Sequence, residues 1–412
     1  MATCQKGVTV NIRRFTQIII TVGIVVVCLS LTTCASRSAD HPASALQRLL
    51  AAQLADPNMC PTGESQDIQE IVDAVDPGGV IRLPEGCYRI TSTIKISPCT
   101  QLFGAGADRT ILYRGPGKFY TQSMMSLSGG TNANCVTQIS GLAFIGVRDT
   151  NDMNEDYGLI VSNVSDFRVD HSYFEGFGFA GVRVEGASKG VVDHSIFVDN
   201  FKRGINNLGY GVTVYGENHW EAEPQPGGPQ AIFVEDSLFV GNRHAIAANA
   251  GVHYVFRNNQ VLHGVVACGV DAHGMGFGSA HGTRYVEIYG NVIEDPIYDW
   301  CGIGIRGGAG VIFNNMIVGY KNPILLILEW GTPDAYKAMY PALDQIQDLY
   351  IWDNQIKGGP TEPQVDETGL GFIEQGRDYF TQPLTGYIPY IYPHPLASGG
   401  PFDTEPWPPG SE

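Results

Sequence analysis

The sequence predicts an all-β solenoid, a parallel β-helix closed at its start by a short capping helix. Three observations carry this. Short β-rich runs bounded by Gly, Pro, Asn or Asp fill the chain from VIRL at Val80 onward. Seven segments, HSYF, HSIF, DSLF, NNQV, GNVI, NNMI and DNQI, align on a small polar residue: Ser172, Ser195, Ser237, Asn259, Asn291, Asn315 and Asn354. Apolar residues flank every one of them at fixed offsets. Three positions earlier stand Val169, Val192, Val234, Phe256, Ile288, Ile312 and Ile351, and two positions later Phe174, Phe197, Phe239, Val261, Ile293, Ile317 and Ile356.

The steps between the polar positions are 23, 42, 22, 32, 24 and 39 residues. The short steps fit one coil of three strands, and the long ones one coil plus an inserted loop. In such a coil alternate side chains point inward, and equivalent positions stack at about 4.8 Å. Asn or Ser suits the tight turn, where its side chain can satisfy backbone groups. The helix spans roughly Gly78 to Gly358.

Composition sets the class. The chain has 412 residues, 51 of them glycine, with 43% hydrophobic and 16% charged residues. That describes a folded chain. A net charge of −17 argues against nucleic acid as a partner. A polyanionic substrate would need a local basic patch.

Residues 1–34 read as an export signal. Lys6, Arg13 and Arg14 precede an apolar run from Ile18 to Leu31 that is short for a bilayer span. Leu31-Thr32-Thr33-Cys34 resembles a bacterial lipobox, which would lipidate Cys34 and attach the chain to a membrane. Cleavage near Ser36 and an uncleaved anchor stay open. All three readings export the bulk of the chain, as a cell-surface or outer-membrane lipoprotein or a secreted protein.

Six cysteines follow, at 60, 87, 99, 135, 268 and 301. An even number in an oxidising compartment suggests disulfides. Cys268 and Cys301 each precede a Gly that opens a strand, one coil apart, so stacking places them within bonding reach. Cys99 can pair likewise with Cys135, leaving Cys60 for Cys87.

Residues 35–62 read as a linker holding a short Ala/Leu-rich helical piece. Ser65 to Val75 is an amphipathic helix, with Ile68, Ile71, Val72 and Val75 on one face and Gly78-Gly79 as its stop. It covers the open edge of the first coil, where unpaired strands would otherwise pair between molecules. Residues 63–360 form the β-helix domain. The Pro- and aromatic-rich residues 361–412 read as a strap along its wall, loose after Ser398.

The segment DIQEIVDAVDPGGVIRLPEGCYRITSTIKISPCTQLFGAGADRTIL, residues 67–112, resembles the opening of the pectate-lyase-like, right-handed parallel β-helix family. The likeness lies in the capping helix followed by Gly-Gly, Leu-Pro-x-Gly-x-Tyr and Gly-x-Gly. The tail around Tyr387 to Leu396 is similar to that of many bacterial members. The resemblance implies a right-handed helix and a groove-binding lyase, epimerase or hydrolase acting on uronate-containing glycans. The chain departs from the calcium-dependent lyases in having no clear set of aligned calcium carboxylates. It departs from the polygalacturonases in lacking their paired Asp-Asp motif. GVDAHG at residues 269–274 is similar to the Asp-Pro-His motif of alginate C5-epimerases.

Candidate chemistry lies on the strand preceding each aligned block, where outward positions form a polar ladder. Asp271 and His273 sit two apart and share a face. Arg306 comes from the equivalent strand one coil later. A carboxylate, an imidazole and a guanidinium on one loop-walled surface can do acid–base work. His273 is then the proton-transfer residue, Asp271 its orienting partner and Arg306 the anchor for a substrate carboxylate. The Gly274–Thr283 loop supplies a wall and, through its glycines, the freedom to close. The bland alternative is an ordinary solvated ladder.

Further candidates for substrate contact are Arg243, His244, Arg284, Glu287, Tyr215, Trp220 and Glu329. His244 reads equally as a buried imidazole, and Glu287 as a salt-bridge partner of Arg257 or Arg284. Trp220 could stack on a sugar or anchor its own loop. His171 and His194 recur with the repeat in Asp-His-Ser and read as structure. No cofactor is required. Ca²⁺ could find oxygens at Asp149, Asp152, Glu155 and Asp156, though without EF-hand spacing.

The reading is therefore an exported, monomeric polysaccharide lyase or epimerase with an acidic glycan as substrate. The alternatives are a glycoside hydrolase and a non-catalytic surface β-helix that binds glycan or a partner. A binding module would show a run of exposed aromatics such as Tyr215, Trp220 and Trp330. An enzyme needs Asp271, His273 and Arg306 within a few ångströms.

Overall fold

The computed structural model describes residues 42–404, except 57, 59, 116–119, 130–134, 148–154, 203–207, 221–222, 265, 277–279 and 330–344. The expected export signal, Cys34, Trp330 and the carboxylates Asp149 and Asp152 lie outside the described residues. No described helix is long and apolar enough to cross a membrane.

The strands form three parallel sheets of 11, 10 and 11 strands, each strand pairing with its equivalents one coil before and after. This is the expected right-handed parallel β-helix. A coil enters the 10-stranded sheet, called here the leading sheet. It then turns into the sheet containing Ile232–Glu235 and finally into the one containing Leu238–Val240.

The polar column forms a continuous ladder. The amide of Ser172 donates to Ser195 Oγ, that of Ser195 to Ser237 Oγ, and that of Ser237 to Asn259 Oδ1. The series continues through Asn291, Asn315 and Asn354 at 3.0–3.1 Å. The residue just before each ladder position has positive φ: His171, His194, Asp236, Asn258, Gly290, Asn314 and Asp353. Asn, Asp, His and Gly tolerate that left-handed turn best. The Asp-His-Ser recurrence thus has a backbone cause, and the rings of His171 and His194 stack at 5.0 Å.

The flanking apolar columns fill the interior. Val169, Val192, Val234, Phe256, Ile288 and Ile312 are fully buried. Phe144, Phe174, Phe197 and Phe239 form an interior stack with centroids 4.7–5.1 Å apart. Each such side chain contributes about 1.5–3 kcal/mol by leaving water. The three cysteine pairs join as expected: Cys60–Cys87, Cys99–Cys135 and Cys268–Cys301.

Helix Ser65–Asp73 caps the first coil, burying Ile68 and Val72, and its start is closed by reciprocal bonds between Glu64 and Asp67. An earlier helix, Pro42–Ala55, lies along the outside and buries Ala43 and Leu50. Its Gln47 donates to Glu175.

The C-terminal residues run over the second sheet. Carbonyls of Tyr390 and Ile391 accept from buried Arg257, the Tyr392 hydroxyl donates to Asp236, and the amide of His394 donates to Glu235. The expectation of a loose chain after Ser398 fails at Asp403, which pairs with Arg168 at 2.7 Å. Asp403 is the third carboxylate beside the Arg168 side chain, which is 1% exposed and also faces Asp193 at 2.8 Å and Asp170 at 3.6 Å.

Candidate functional site

The site lies on the outer face of the leading sheet, where strands His244–Asn249, Val270–Ala272 and Cys301–Ile305 pair in register. Ala247 stands beside Asp271, and Asp271 beside Gly304. Val270 and Ala272 point inward, as do Ile303 and Ile305, so Asp271 is turned outward by alternation. One residue beyond Ala272 and Ile305 come His273 and Arg306.

The three side chains meet. Arg306 Nε donates to Asp271 Oδ1 at 3.1 Å, and its Nη2 lies 3.0 Å from Oδ2. His273 Nε2 lies 2.7 Å from the same Oδ2. On its far side Arg306 faces Glu329 at 3.7 Å, and Glu329 accepts from the amide of Gly274.

Gly304 makes room for this. A Cβ there would fall 2.4 Å from Cys268 Sγ and 3.2 Å from Asp271 Oδ1. The bare backbone lets the Cys268–Cys301 bridge and the Asp271 carboxylate share one rung.

The alternative of an ordinary solvated ladder does not hold here. Asp271 is fully buried and His273 is 8% exposed. Burial alone would raise the Asp271 carboxyl. Arg306 foremost, then His273 and His244, outweigh it and hold the group well below the carboxylate range. Asp271 is therefore an anion at any working pH. Arg306 is raised in turn, since Asp271 and then Glu329 outweigh its own desolvation.

The loop glycines have another role than the expected freedom to close. A Cβ on Gly282 would lie 2.6–2.7 Å from Gly274 and the His273 carbonyl, and one on Gly274 would strike Arg306 and Glu329. They let the two ends of the loop press together beneath the site.

His244 joins the cluster. It is fully buried, and its Nδ1 is bonded to the carbonyl of Cys268. Its Nε2 lies 3.7 Å from Asp271 Oδ2. Burial, then Arg243, pushes the ring well below its usual pKa, so it is neutral. Arg243 donates to the Tyr210 hydroxyl, and the Tyr210 ring stacks on His244. Arg243 and Arg306 both line a cavity of about 290 Å³ with Trp300, Ile327, Asp366 and Thr368.

The remaining candidates lie elsewhere. Tyr215 is on the same face but under Arg183, whose guanidinium sits 4.5 Å from its ring. Trp220 donates to the Gly282 carbonyl, stacks on His281 and carries Arg284 at 5.0 Å, which is the loop-anchor reading. Arg284 reaches Glu223 at 3.4 Å and lines a second cavity of about 400 Å³ with Lys189, His219 and His253.

Glu287 is corrected. It faces outward, but its partners are His253 at 2.9 Å, the amide of Gly227 and the Tyr387 hydroxyl, not Arg257 or Arg284. Arg257 is taken by Glu235 instead. Of the acidic group proposed for Ca²⁺, Asp156 is buried against Arg114 and accepts from the amide of Gly178. It serves the fold.

Tyr210, Trp300 and Asp366 are members that sequence reasoning missed. Tyr210 was findable, since it opens the strand YGVTVY at the offset where His244 opens its own. Asp366 comes from beyond the repeat, so no periodicity points to it.

Residues 55–275 match the family described as rhamnogalacturonase A/epimerase, pectate lyase-like. The chain belongs to this family. The matched span includes Asp271 and His273 and ends before Arg306. Among curated proteins none matches.

Solved structures resemble this pectate lyase-like chain at low identity and low structural similarity. A mannuronic acid-specific polysaccharide family 6 lyase from human gut microbiota is 14% identical, with 73% of this chain and 78% of that one covered and a TM-score of 0.40. The A-module of a mannuronan C-5 epimerase from Azotobacter vinelandii is 14% identical, with 74% and 99% covered and a TM-score of 0.39. A surface adhesin of Streptococcus pneumoniae is 14% identical, with 74% and 92% covered and a TM-score of 0.44. The chain spans 61% of the length of a matching Geobacillus virus E2 protein.

Proposed function

We propose that the protein is an exported enzyme of the lyase or epimerase type acting on uronate-containing polysaccharide. The observation that carries this is the contact of Asp271 with both His273, at 2.7 Å, and Arg306, at 3.0 Å. A permanently ionised carboxylate fixes an imidazole from behind, the arrangement a proton-transfer histidine needs.

Elimination and epimerisation share their first step, removal of the C5 proton of a uronate. With Nε2 turned to Asp271, Nδ1 is the ring atom that exchanges the proton with substrate. Asp271 then stabilises the imidazolium that forms. The charge developing on the sugar carboxylate needs guanidinium groups, and Arg243 and Arg306 line one cavity together. Because Arg306 is already matched by Asp271 and Glu329, Arg243 joins it as a carboxylate anchor. An elimination expels the leaving sugar, while an epimerase returns the proton to the opposite face.

The alternative, a non-catalytic glycan-binding β-helix, would rely on exposed aromatics. Tyr215 and Trp220 are instead engaged by Arg183 and Arg284. Three disulfides support an oxidising compartment outside the cytoplasm. Lipidation at Cys34, the 63–360 boundaries of the catalytic domain and a monomeric state complete the reading.

The test is incubation of the purified protein with a panel of acidic polysaccharides. Ultraviolet absorbance follows the unsaturated product of elimination, and proton NMR follows inversion at C5. Either signal on one substrate supports the reading. Reducing ends appearing without unsaturation would assign hydrolysis in its place.

A further inference from the structure

We propose that His244, Asp271 and His273 together form a binding site for a divalent transition-metal ion of the zinc class. The ligand atoms of the three residues lie within 4.8 Å of one another, and all three residues are buried.

The argument starts at His244. Its Nδ1 faces a carbonyl, which can only accept, so the ring proton is on Nδ1. Nε2 is then a bare lone pair. It is buried with no hydrogen bond, and it faces Asp271 Oδ2, whose own neighbours are His273 Nε2 at 2.7 Å and Arg306 Nη2 at 3.0 Å. Two lone pairs 3.7 Å apart in a buried site repel, and a cation held between them would relieve that repulsion. A water would fit poorly. At ordinary hydrogen-bond lengths of about 2.8 Å to both atoms it would be bent to roughly 80°. A metal at about 2.0–2.2 Å from both would see them at roughly 120°, inside the range of a four-coordinate ion.

His273 Nε2, 2.7 Å from the same Oδ2 and within 4.8 Å of the His244 ligand atom, supplies the third ligand. Its present 2.7 Å from Oδ2 would open to roughly 3.4 Å around a four-coordinate ion. Two imidazoles and one carboxylate are donors for zinc, cobalt or nickel, not for calcium.

The surroundings fit a ligand set. The carbonyl that orients His244 belongs to Cys268, which the bridge to Cys301 holds in place. A backbone carbonyl behind a metal-binding histidine fixes its tautomer in this way. Arg306 does the same for Asp271, occupying Oδ1 through Nε.

The ion would also act on the proposed reaction, a consequence that rests on the reading of His273 as the base. A metal on Nε2 moves the remaining ring proton to Nδ1, the atom that must accept a proton from substrate. Occupancy therefore silences turnover.

The experiment uses full-length, tag-free protein stripped with a chelator and titrated with Co²⁺. One equivalent should bind with visible ligand-field bands, and the bands should vanish in His244→Ala. Ca²⁺ in excess should not displace them. Absence of the bands, or bands that survive His244→Ala, overturns the proposal. Should His244→Ala fail to fold by circular dichroism, X-ray absorption on the zinc-loaded native protein decides. Two imidazole nitrogens at about 2.0–2.1 Å support the site, and a shell with no imidazole overturns it. Zinc that binds through both histidines yet leaves turnover unchanged supports the metal site and removes His273 as the base, so the two readings fail separately.

Discussion

Arg306 grips the Asp271 carboxylate from the next coil, with Nε on Oδ1 at 3.1 Å and Nη2 3.0 Å from Oδ2. Both groups are nearly withdrawn from water, at 10% and 0% side-chain exposure. Removing one partner from such a pair strands a buried charge. Arg306→Met should therefore cost about 3–5 kcal/mol of stability. The loss should be smaller when Asp271→Asn is added, because the stranded charge is gone. Chemical denaturation of the single and double variants measures this. Equal and additive losses would show that the pair is not coupled.

Gly304 is expected to be intolerant of any side chain. Its added Cβ would sit 2.4 Å from Cys268 Sγ. Both the disulfide and the Asp271 carboxylate would have to move. Gly304→Ala should cost about 1–3 kcal/mol, the usual range for overpacking. Thermal melting reads the cost, and a melting point equal to that of the native protein would contradict the packing described.

Acid should loosen the C-terminal strap through His394. In the unfolded chain this imidazole protonates near 6.5, but burial first, and then Arg257, lowers it to about 4 in the folded protein. Between those two values the unfolded state binds more protons, so stability falls as pH falls. His194 acts in the opposite sense, since Asp193 raises it against the cost of its burial. Comparing His394→Asn with the native protein isolates the first effect. The native melting point should drop more steeply from pH 6.5 to 4 than that of the variant. Parallel curves would show that His394 does not contribute.

The helical architecture was legible because its cause repeats. Ser172 to Asn354 recur with apolar residues at fixed offsets, and each turn needs the same ladder bond. Alternation and coil stacking were enough to bring Asp271, His273 and Arg306 together, and to pair Cys268 with Cys301. What alternation does not encode is depth. It assigns Asp271 to the outer face, yet full burial follows from neighbours that belong to other coils and to the loops. The partners of Glu287 were illegible for a related reason. Tyr387 arrives from the non-repeating tail, and Gly227 from a loop whose path has no period. The role of Gly274 and Gly282 was likewise hidden, because a close approach between two loop ends leaves no spacing signal.

The claim that this buried cluster moves a proton is tested most directly by His273→Ala, assayed on whichever acidic polysaccharide the native protein converts. General acid–base catalysis is worth about 10²–10⁴-fold, so turnover should fall by that factor. The circular dichroism spectrum should stay unchanged, because His273 lies outside the interior columns that hold the coils together. Full turnover by a folded His273→Ala protein would contradict the account and move the search to the cavity of Arg284 and His253.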